Sequence, residues 1–505
     1  MIPTTIIQHF EQAICFPSLT NESDCDLITA QQMSHCLTSV ASRDRVAASF
    51  TLFRPIMFSG QSCKPGRTLI RDYEKDTSAL SIEARTTGKI RLRIIPFMCF
   101  LYLVAFLDRT NIGFAALTMN RELAITSQQF GLLAGIFFFG YFFFEIPSNL
   151  LLHRIGARVW IARILITWGA VAALTGFVHT VHQLYVVRFL LGLAEAGYYP
   201  GVMLYLTYWF RQQERAQAVA WFLTGLPAAT IVGAPISGLI LDHVHWLGVS
   251  SWRWLLILEG VPAIACGLLT YYLLPSRPHE AEFLTTEEKE WVGAELAREE
   301  QEKLRQHQYS VFQTLTHGRV WFLVSIYFGM NIGVYTLSFF SPQLVKSLSS
   351  GYSNSVVGFL VMIPNLFGFA AMILVSRSSD RTLERRYHVA IPAITGAVAL
   401  ALLPVARSTF ASVALLSLLA VGVYSFVGPF WALPGEFLTG FSAAAGIALI
   451  NCVGNLGSFT GPYVIGSIGQ KTGNLSGGFI FAGIALLVAA TLVLLLPRRT
   501  RPNQN

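Results

Sequence analysis

Long apolar stretches dominate this chain of 505 residues. A helix that crosses the hydrocarbon core of a bilayer needs about 20 mostly apolar residues. Charged residues make up only 13% of the chain, against about 25% in soluble domains. We therefore expect an all-α membrane protein. Its twelve predicted transmembrane helices lie near 94–115, 130–152, 160–178, 183–210, 216–241, 253–274, 318–340, 355–376, 389–406, 410–432, 443–466 and 477–496.

The two sets of six spans look related by duplication. Similar residues recur 227 positions apart at three separate places. The matching pairs are Gly131 with Gly358, Pro235 with Pro462, and the loop residues His153, Arg154 and Arg158 with Asp380, Arg381 and Arg385. We predict two six-helix halves with a substrate site between them at the membrane midplane, which is a transporter architecture.

The chain is predicted to consist of five segments. The predicted boundaries are 1–88 for an N-terminal cytoplasmic segment, 89–274 for the first half, 275–317 for a cytoplasmic linker, 318–497 for the second half and 498–505 for a cytoplasmic tail. Two interpretations of 1–88 stay open: a disordered tail, or a segment upstream of a true start near Met57. In the linker, Thr285 and Glu288 form a capping-box pattern, which predicts a polar helix in a solvated connection.

Lys and Arg residues collect in the loops on one side of the predicted membrane. The positive-inside rule places that side, both termini and the linker in the cytoplasm. The net charge of +8 is therefore a topology signal, and the expected partner is a lipid bilayer rather than nucleic acid. We expect a monomer.

Ionisable residues inside spans are costly and are usually functional. Arg188 and Glu195 are seven residues apart, which is two helical turns, so both side chains project from one helix face. This spacing indicates either an anion site with a protonatable group or a structural ion pair. We favour the functional interpretation because the first span contains a second acid–base pair.

That second pair is Asp108 and Arg109. Adjacent residues on a helix point about 100° apart, so at least one should face a central cavity. Arginine suits a substrate carboxylate, because its planar fork donates two hydrogen bonds. Substrate bound to the arginine would release a neighbouring carboxylate to accept a proton.

Polar residues without charge complete the predicted site. Tyr141 is either a substrate contact or an interfacial aromatic residue, and Glu145 one turn later is assigned to a gating or structural network. The second half supplies amides and hydroxyls rather than charges. Its candidate binding residues, each of which is also explained by helix packing, are Asn331, Tyr335, Asn451 and Asn455.

Two basic loops resemble gate motifs at the cytoplasmic ends of the spans. They contribute Arg154 and Arg158 in the first half, and Asp380 and Arg381 in the second. No enzyme motif, P-loop, CxxC or Cys/His ligand spacing occurs in the sequence. We therefore expect no catalysis, no metal and no organic cofactor, and the sequence predicts no ATP site of its own.

Over residues 89–497 the chain resembles the anion:cation symporter family of the major facilitator superfamily. The resemblance rests on FLYLVAFLDRTNIGFAAL, FEIPSNLLLHRIGARVWIARI, RFLLGLAEAGYYPG, RPHEAEFLTTEE and GPFWALPGEFLTG. It is closest to the bacterial branch that carries tartrate-like acids, sugar acids and aromatic acids. The resemblance implies proton-driven, or in some members sodium-driven, import of organic anions across the bacterial inner membrane.

The resemblance also implies residue roles. Asp108 and Glu195 would bind protons, Arg109 the substrate carboxylate, and Tyr141, Arg188 and an eleventh-span amide (Asn451 or Asn455) would complete the site. The chain departs from the family pattern in having His153 for an aspartate and Leu226 for a polar residue. Two alternatives stay open: an exporter of drugs or metabolites, and a membrane sensor that keeps the fold.

Overall fold

The structure is a computed structural model that describes residues 67–305, 315–348, 351–436 and 440–496. Within these ranges every regular element is a helix. The first half contains α1 (Arg67–Glu122), α2 (Ser127–Ile155), α3 (Ala157–Leu174), α4 (Val181–Glu195), α5 (Tyr198–Thr207), α6 (Gln212–Leu223), α7 (Gly225–His243) and α8 (Ser251–Leu273). The linker contains α9 (Thr286–Arg305). The second half contains α10 (Gly318–Leu348), α11 (Asn354–Thr382), α12 (Arg386–Leu402), α13 (Thr409–Ser425), α14 (Val427–Ala432), α15 (Gly440–Gly454), α16 (Leu456–Thr472) and α17 (Ser476–Leu495).

The predicted fold class is confirmed. In the described part of the chain, ten helical segments are each long and apolar enough to cross a membrane. The two remaining predicted spans, the fourth and the eleventh, are each built from a pair of shorter helices, α4 with α5 and α15 with α16. The first helix begins at Arg67, well before the predicted start of the first half. The predicted tail 498–505 and most of the predicted segment 1–88 lie outside the described residues.

Four spans are interrupted near their middle. The fourth breaks after Glu195, where Gly197 adopts a positive φ of 86°, a conformation that glycine reaches without strain. The fifth breaks at Thr224, the tenth at Phe426 and the eleventh at Asn455. The breaks in the fourth and tenth spans, and in the fifth and eleventh, are related by nearly the 227-residue offset. The interruptions therefore repeat between the halves, at the depth where transporters bind substrate.

Reciprocal glycine contacts join the halves. A Cβ placed on Gly131 of α2 would lie 3.0 Å from the carbonyl carbon of Pro462 on α16. A Cβ placed on Gly358 of α11 would lie 3.1 Å from the Cα of Pro235 on α7. Each half thus offers the same glycine to the same proline of the other half. Only glycine permits this backbone approach, so the duplication inferred from sequence is also a packing relationship.

The halves are packed tightly at one end, here called the distal face, where α1, α7 and α10 end and α2, α8 and α11 begin. Asp242 of α7 accepts hydrogen bonds from the backbone N–H groups of Asn354 and Ser355 at 3.0 and 2.7 Å. It also accepts from the side chains of both residues, at 2.8 and 2.7 Å. These bonds and the glycine contacts hold the distal face closed.

The opposite end, here called the basic face, carries the linker helix α9. The predicted capping box is confirmed, because Thr285 N donates to Glu288 Oε2 at 2.9 Å and Glu288 N donates to Thr285 Oγ1 at 3.3 Å. Most side chains of α9 are exposed or half-buried, but that of Glu288 is not. The Glu288 side chain is fully buried and accepts from Arg85 at 2.8 Å and from Lys89 at 3.0 Å. The linker helix is therefore docked on α1 of the first half by its acidic residues.

Candidate functional site

A cavity lies between the two halves at the level of the helix breaks. Of its described lining residues, Arg109 carries the single charged side chain, and the rest are aromatic, amide or aliphatic. The lining residues are Tyr102, Phe106, Arg109, Tyr141, Tyr199, Leu223, Leu226, Tyr327, Asn331, Val334, Tyr335, Phe426, Val427, Trp431, Asn451 and Asn455. A cavity with one cation and many aromatic rings suits a small organic anion.

Arg109 is held by a carboxylate and by aromatic rings. Its Nε donates to Glu195 Oε1 at 2.6 Å, and its Nη2 lies 2.5 Å from the same oxygen. The guanidinium carbon lies 5.2 Å from the Tyr141 ring centre and 5.5 Å from that of Phe137, within cation–π range. The phenol of Tyr335 contacts the guanidinium from the second half. Arg109 therefore has an acid as its partner and one edge in the cavity.

Seen from the cavity, Glu195 and Arg188 lie behind Arg109. Both side chains project from the same face of α4, as their seven-residue spacing predicted. Both are buried, with 0% and 2% exposure. Glu195 is the last residue of α4, and its carboxylate lies against Arg109, which lines the cavity. The acidic neighbours of Arg188 are Glu195 and Asp108. The structure thus brings the four predicted charged residues into one buried cluster.

Asp108 faces away from the cavity. Its Oδ2 accepts a hydrogen bond of 2.6 Å from Trp168 Nε1 on α3, and its Oδ1 lies 3.4 Å from Asn111 Nδ2. Asp108 is 1% exposed. Of the adjacent pair, the arginine faces the cavity and the aspartate faces the interior of the first half.

The predicted polar residues of the second half all line the cavity. Asn331 Nδ2 donates to the carbonyl oxygen of Gly454 at 3.3 Å. Tyr335 packs edge-on against Phe138 of the first half, with ring centres 4.5 Å apart. Asn455 lies at the break between α15 and α16. Asn331, Tyr335, Asn451 and Asn455 therefore face the same space as Arg109.

A bond between an amide and a carboxylate crosses between the halves on the basic side of the cavity. Asn451 Nδ2 donates to Glu145 Oε1 at 2.6 Å. Glu145 is 2% exposed, and its Oε2 has no partner in the described structure. Asn451 was predicted to bind substrate and Glu145 to belong to a network; in this conformation they bind each other.

The predicted gate residues contact only their own half among the bonds described. Arg158 Nε donates to the carbonyl oxygen of Tyr271, near the end of α8. Asp380 accepts from Arg385 at 2.6 Å, while Arg154 and Arg381 are exposed. The loops therefore brace neighbouring helices and do not join the halves here.

Glu259 was not among the predicted site residues. This carboxylate lies inside α8, is 6% exposed, and accepts a hydrogen bond of 2.7 Å from Ser237 Oγ. The signal was available, because Glu259 falls within the predicted span 253–274 and the rule applied to Asp108 and Glu195 applies to it equally. The aromatic lining residues Tyr102, Tyr199 and Trp431 were also not singled out, whereas Tyr327 was noted on the same face of the seventh span as Asn331 and Tyr335.

Comparisons with known proteins agree with this architecture. The model of the Major Facilitator Superfamily matches residues 98–462. A protein of Agrobacterium vitis named "Putative tartrate transporter" is 44% identical over 84% of this chain and 97% of its own length. The metabolite transport protein NicT of Pseudomonas putida is 38% identical over 86% of this chain and 98% of its own.

A solved structure shares the fold. The xylose transporter XylE from E. coli, in a partially occluded inward-open conformation, superposes with a TM-score of 0.64. The alignment covers 81% of this chain and 98% of XylE at 14% identity. At that identity the likeness concerns the fold alone.

Proposed function

The chain belongs to the Major Facilitator Superfamily, and we propose that it is a secondary active transporter that imports a small organic anion together with protons. It is a multi-pass membrane protein with a small-molecule substrate. The observation that carries the proposal is the Arg109–Glu195 ion pair at the wall of a cavity that has no other described charge. The positive-inside rule supports placing the basic face in the cytoplasm, and the bacterial relatives support the inner membrane.

The ion pair suggests how anion and proton are coupled. A substrate carboxylate and Glu195 would compete for the Arg109 guanidinium, because each offers it the same charge-assisted hydrogen bonds. A buried carboxylate that loses its cation is strongly destabilised. Glu195 would therefore take up a proton when the substrate binds, and the cluster would keep its net charge.

Asp108 and Arg188 extend this cluster away from the substrate. Arg188 lies between the two acids, Asp108 and Glu195. When a proton neutralises one acid, Arg188 interacts more strongly with the other. In this proposal Asp108 is the second proton site and Arg188 keeps either acid charged until a proton arrives. Sodium in place of a proton is the alternative coupling ion.

The opposite wall supports selection among organic anions. Asn331, Asn451, Asn455 and Tyr335 offer donors and acceptors to the far end of a substrate whose carboxylate is held by Arg109. Leu226 adds an apolar surface. This lining suits a tartrate-like dicarboxylate, a sugar acid or an aromatic carboxylate, and the similarity to named tartrate transporters supports testing tartrate first.

Alternating access would use the contacts between the halves. The distal face is closed by Asp242 and the reciprocal glycines, whereas the described gate residues of the basic face do not bridge the halves. The conformation therefore suits release toward the basic face. The reciprocal contacts would separate when the cavity opens to the distal side.

Uptake by purified protein in liposomes tests the proposal. With an inward proton gradient, we expect concentrative uptake of at least one member of a panel of tartrate, galactonate, phthalate and hydroxyphenylacetate, and no concentration when the gradient is collapsed. Uptake of no carboxylate would contradict the proposal. Efflux of drugs against their gradient, driven by inward proton flow, would favour an exporter instead.

A further inference from the structure

A second group of buried polar side chains lies inside the first half, apart from the cavity. Glu259 of α8 accepts a hydrogen bond of 2.7 Å from Ser237 Oγ of α7. Asn111 of α1 contacts Glu259, and its Nδ2 lies 3.4 Å from Asp108 Oδ1. One amide thus links two carboxyl groups, Glu259 and Asp108, that come from different helices.

The charges of this group do not balance. The polar neighbours of Glu259 are Ser237 and Asn111, and its nearest charged neighbour in the described structure is another acid, Asp108. The adjoining helix α3 packs against α8 through glycine, where Gly169 meets Gly260, and its polar contribution is the Trp168 N–H on Asp108. The single cation nearby, Arg188, lies toward Asp108 and Glu195. A charged Glu259 would therefore be buried beside a like charge without a partner of its own.

Two unpartnered atoms indicate where a proton belongs. Glu259 Oε2 and Asn111 Oδ1 are both buried and have no hydrogen-bond partner in the described residues. Both are acceptors, and a buried acceptor without a donor costs about 1–3 kcal/mol. A proton on the Glu259 carboxyl would provide the missing donor.

The residues of this group lie at increasing distances from the distal face. At 1.5 Å per residue, Glu259 is about 12 Å from the distal start of α8, and Ser237 is about 9 Å from the distal end of α7. Asn111 and Asp108 are about 17 and 21 Å from the distal end of α1 on the same measure. Glu259 therefore lies between the distal face and the charged cluster.

We propose that Glu259 is a third proton-binding site and that protons from the distal face reach Asp108 through it. This rests on the proton-coupled import proposed above. In the transfer, the proton leaves a carboxyl oxygen of Glu259 and binds a carboxylate oxygen of Asp108. Glu259 then carries the negative charge and Asp108 is neutral, so the number of charges is unchanged. Asn111 keeps the two carboxyl groups within one polar chain while the substrate cavity is closed to the distal side.

The test compares two modes of transport in Glu259→Gln, which keeps the shape of the side chain and removes its proton exchange. In liposomes with an inward proton gradient, we expect the rate of concentrative uptake to fall about tenfold or more. Exchange of labelled for unlabelled substrate at equal pH should stay close to the wild-type rate, because Glu259 touches neither Arg109 nor the cavity. The matched control Glu282→Gln changes an exposed acid of the linker and should keep both modes.

Three results would overturn the proposal. These are unchanged proton-driven uptake in Glu259→Gln, loss of both uptake and exchange in a folded variant, and wild-type uptake driven by a sodium gradient after the proton gradient is collapsed. If the wild type concentrates no carboxylate under any gradient, the proposed function itself fails, which is a distinguishable outcome.

A labelling experiment on the wild-type protein covers the case in which Glu259→Gln does not fold. Dicyclohexylcarbodiimide modifies protonated carboxyl groups in apolar surroundings, and mass spectrometry locates the adduct. We expect a label on Glu259 that decreases as pH rises. Labelling of other acids with none on Glu259 at any pH would overturn the proposal.

Discussion

Arg109 and Glu195 form a buried ion pair in which both Nε and Nη2 of the guanidinium lie within 2.6 Å of one carboxylate oxygen. The other oxygen, Glu195 Oε2, has no partner in the described structure. A substrate carboxylate that enters from the cavity would thus meet Arg109 while Glu195 holds this arginine through only one of its two oxygens. In the proposed function, this relationship would couple substrate binding to proton binding at one arginine.

We predict that Arg109→Ala lowers substrate affinity by about 100-fold or more, because it removes two charge-assisted hydrogen bonds worth about 1.5–3 kcal/mol each. Arg109→Lys should recover only part of that loss, since an ammonium lacks the planar fork. The measurement is equilibrium binding of the carboxylate that the wild type transports, to detergent-solubilised protein.

The control for this prediction is Arg121→Ala, which removes an exposed arginine at the distal end of the same helix. It should bind substrate with unchanged affinity. Equal affinities of Arg109→Ala and the wild type would remove Arg109 from the binding site.

Glu195→Gln should separate exchange from accumulation. Glutamine resembles the protonated carboxyl group, so the variant should hold substrate on Arg109 and exchange it across the membrane. It cannot release a proton, and the internal-to-external substrate ratio under a proton gradient should therefore fall to about one. Glu282→Gln, in an exposed linker position, is the control and should accumulate normally. Normal accumulation in Glu195→Gln would exclude this residue from coupling.

Hydropathy and spacing were sufficient to predict the fold and most of the charged cluster. The twelve spans could be predicted because a lipid environment requires long apolar helices. The shared face of Arg188 and Glu195 could be predicted because it depends only on their spacing within one helix. The 227-residue offset identified Gly131 and Gly358 as related positions, although the contacts that they make between the halves were not predicted. These features depend on local periodicity or on repetition, both of which are present in the sequence itself.

The remaining contacts depend on tertiary partners. Adjacency could not decide whether Asp108 or Arg109 faces the cavity, because the choice is made by Trp168 on another helix. The Glu145–Asn451 bond joins residues 306 positions apart without a local signal. The docking of Glu288 had no local signal either, because its partners Arg85 and Lys89 lie on α1.

Glu145→Ala should loosen the basic side of the cavity. The change removes the acceptor of Asn451 and so a hydrogen bond to a charged group worth about 1.5–3 kcal/mol. Cys452 follows Asn451 in the chain and is 5% exposed. The reactivity of its thiol therefore measures how far the basic side of the cavity has opened. We expect maleimide to modify Cys452 about tenfold faster or more in the variant, as measured by mass spectrometry of its peptide.

Phe143→Ala provides the matched control on the same helix, because Phe143 is 58% exposed and its described ring contacts are with Phe139 and Phe142 of α2. Its Cys452 should react at the wild-type rate. Equal reactivity in Glu145→Ala and the wild type would show that the bond does not restrain this side.

Linker docking should depend on pH through Glu288. Burial acts to raise the pKa of Glu288, but hydrogen bonds from the Thr285 backbone and Lys89, the Lys89 charge and a hydrogen bond from Arg85 outweigh it, so the pKa lies below its ordinary value of 4.5. A lowered folded pKa stabilises docking above the ordinary value, and that stability disappears as the pH falls through the folded pKa. We expect α9 to keep its protection from hydrogen exchange at neutral pH and to lose it as the pH falls below 4.5 and through the folded pKa of Glu288.

Glu288→Gln should reduce the protection of α9 already at neutral pH and remove its dependence on acid, because the uncharged side chain makes no ion pairs. Glu290→Gln changes an exposed acid on the same helix and should behave as the wild type. Unchanged exchange in Glu288→Gln at both pH values would show that other contacts hold the linker.

The reciprocal glycines should control closure of the distal face. In Gly131→Ala the new methyl group would lie 3.0 Å from the carbonyl carbon of Pro462, and overpacking of this kind costs about 1–3 kcal/mol. The penalty applies only when the halves are closed, so the variant should favour the distal-open state and transport about tenfold more slowly. Gly358→Ala should have the same effect because it meets Pro235 in the same way.

Spin labels at positions 121 and 471, on the distal ends of the two halves in a background without the seven native cysteines, should report longer distances in both variants. Gly293→Ala on α9, where a new Cβ meets nothing within 4 Å, should leave distances and transport unchanged. Wild-type distances in both Gly131→Ala and Gly358→Ala would show that distal closure does not depend on these contacts.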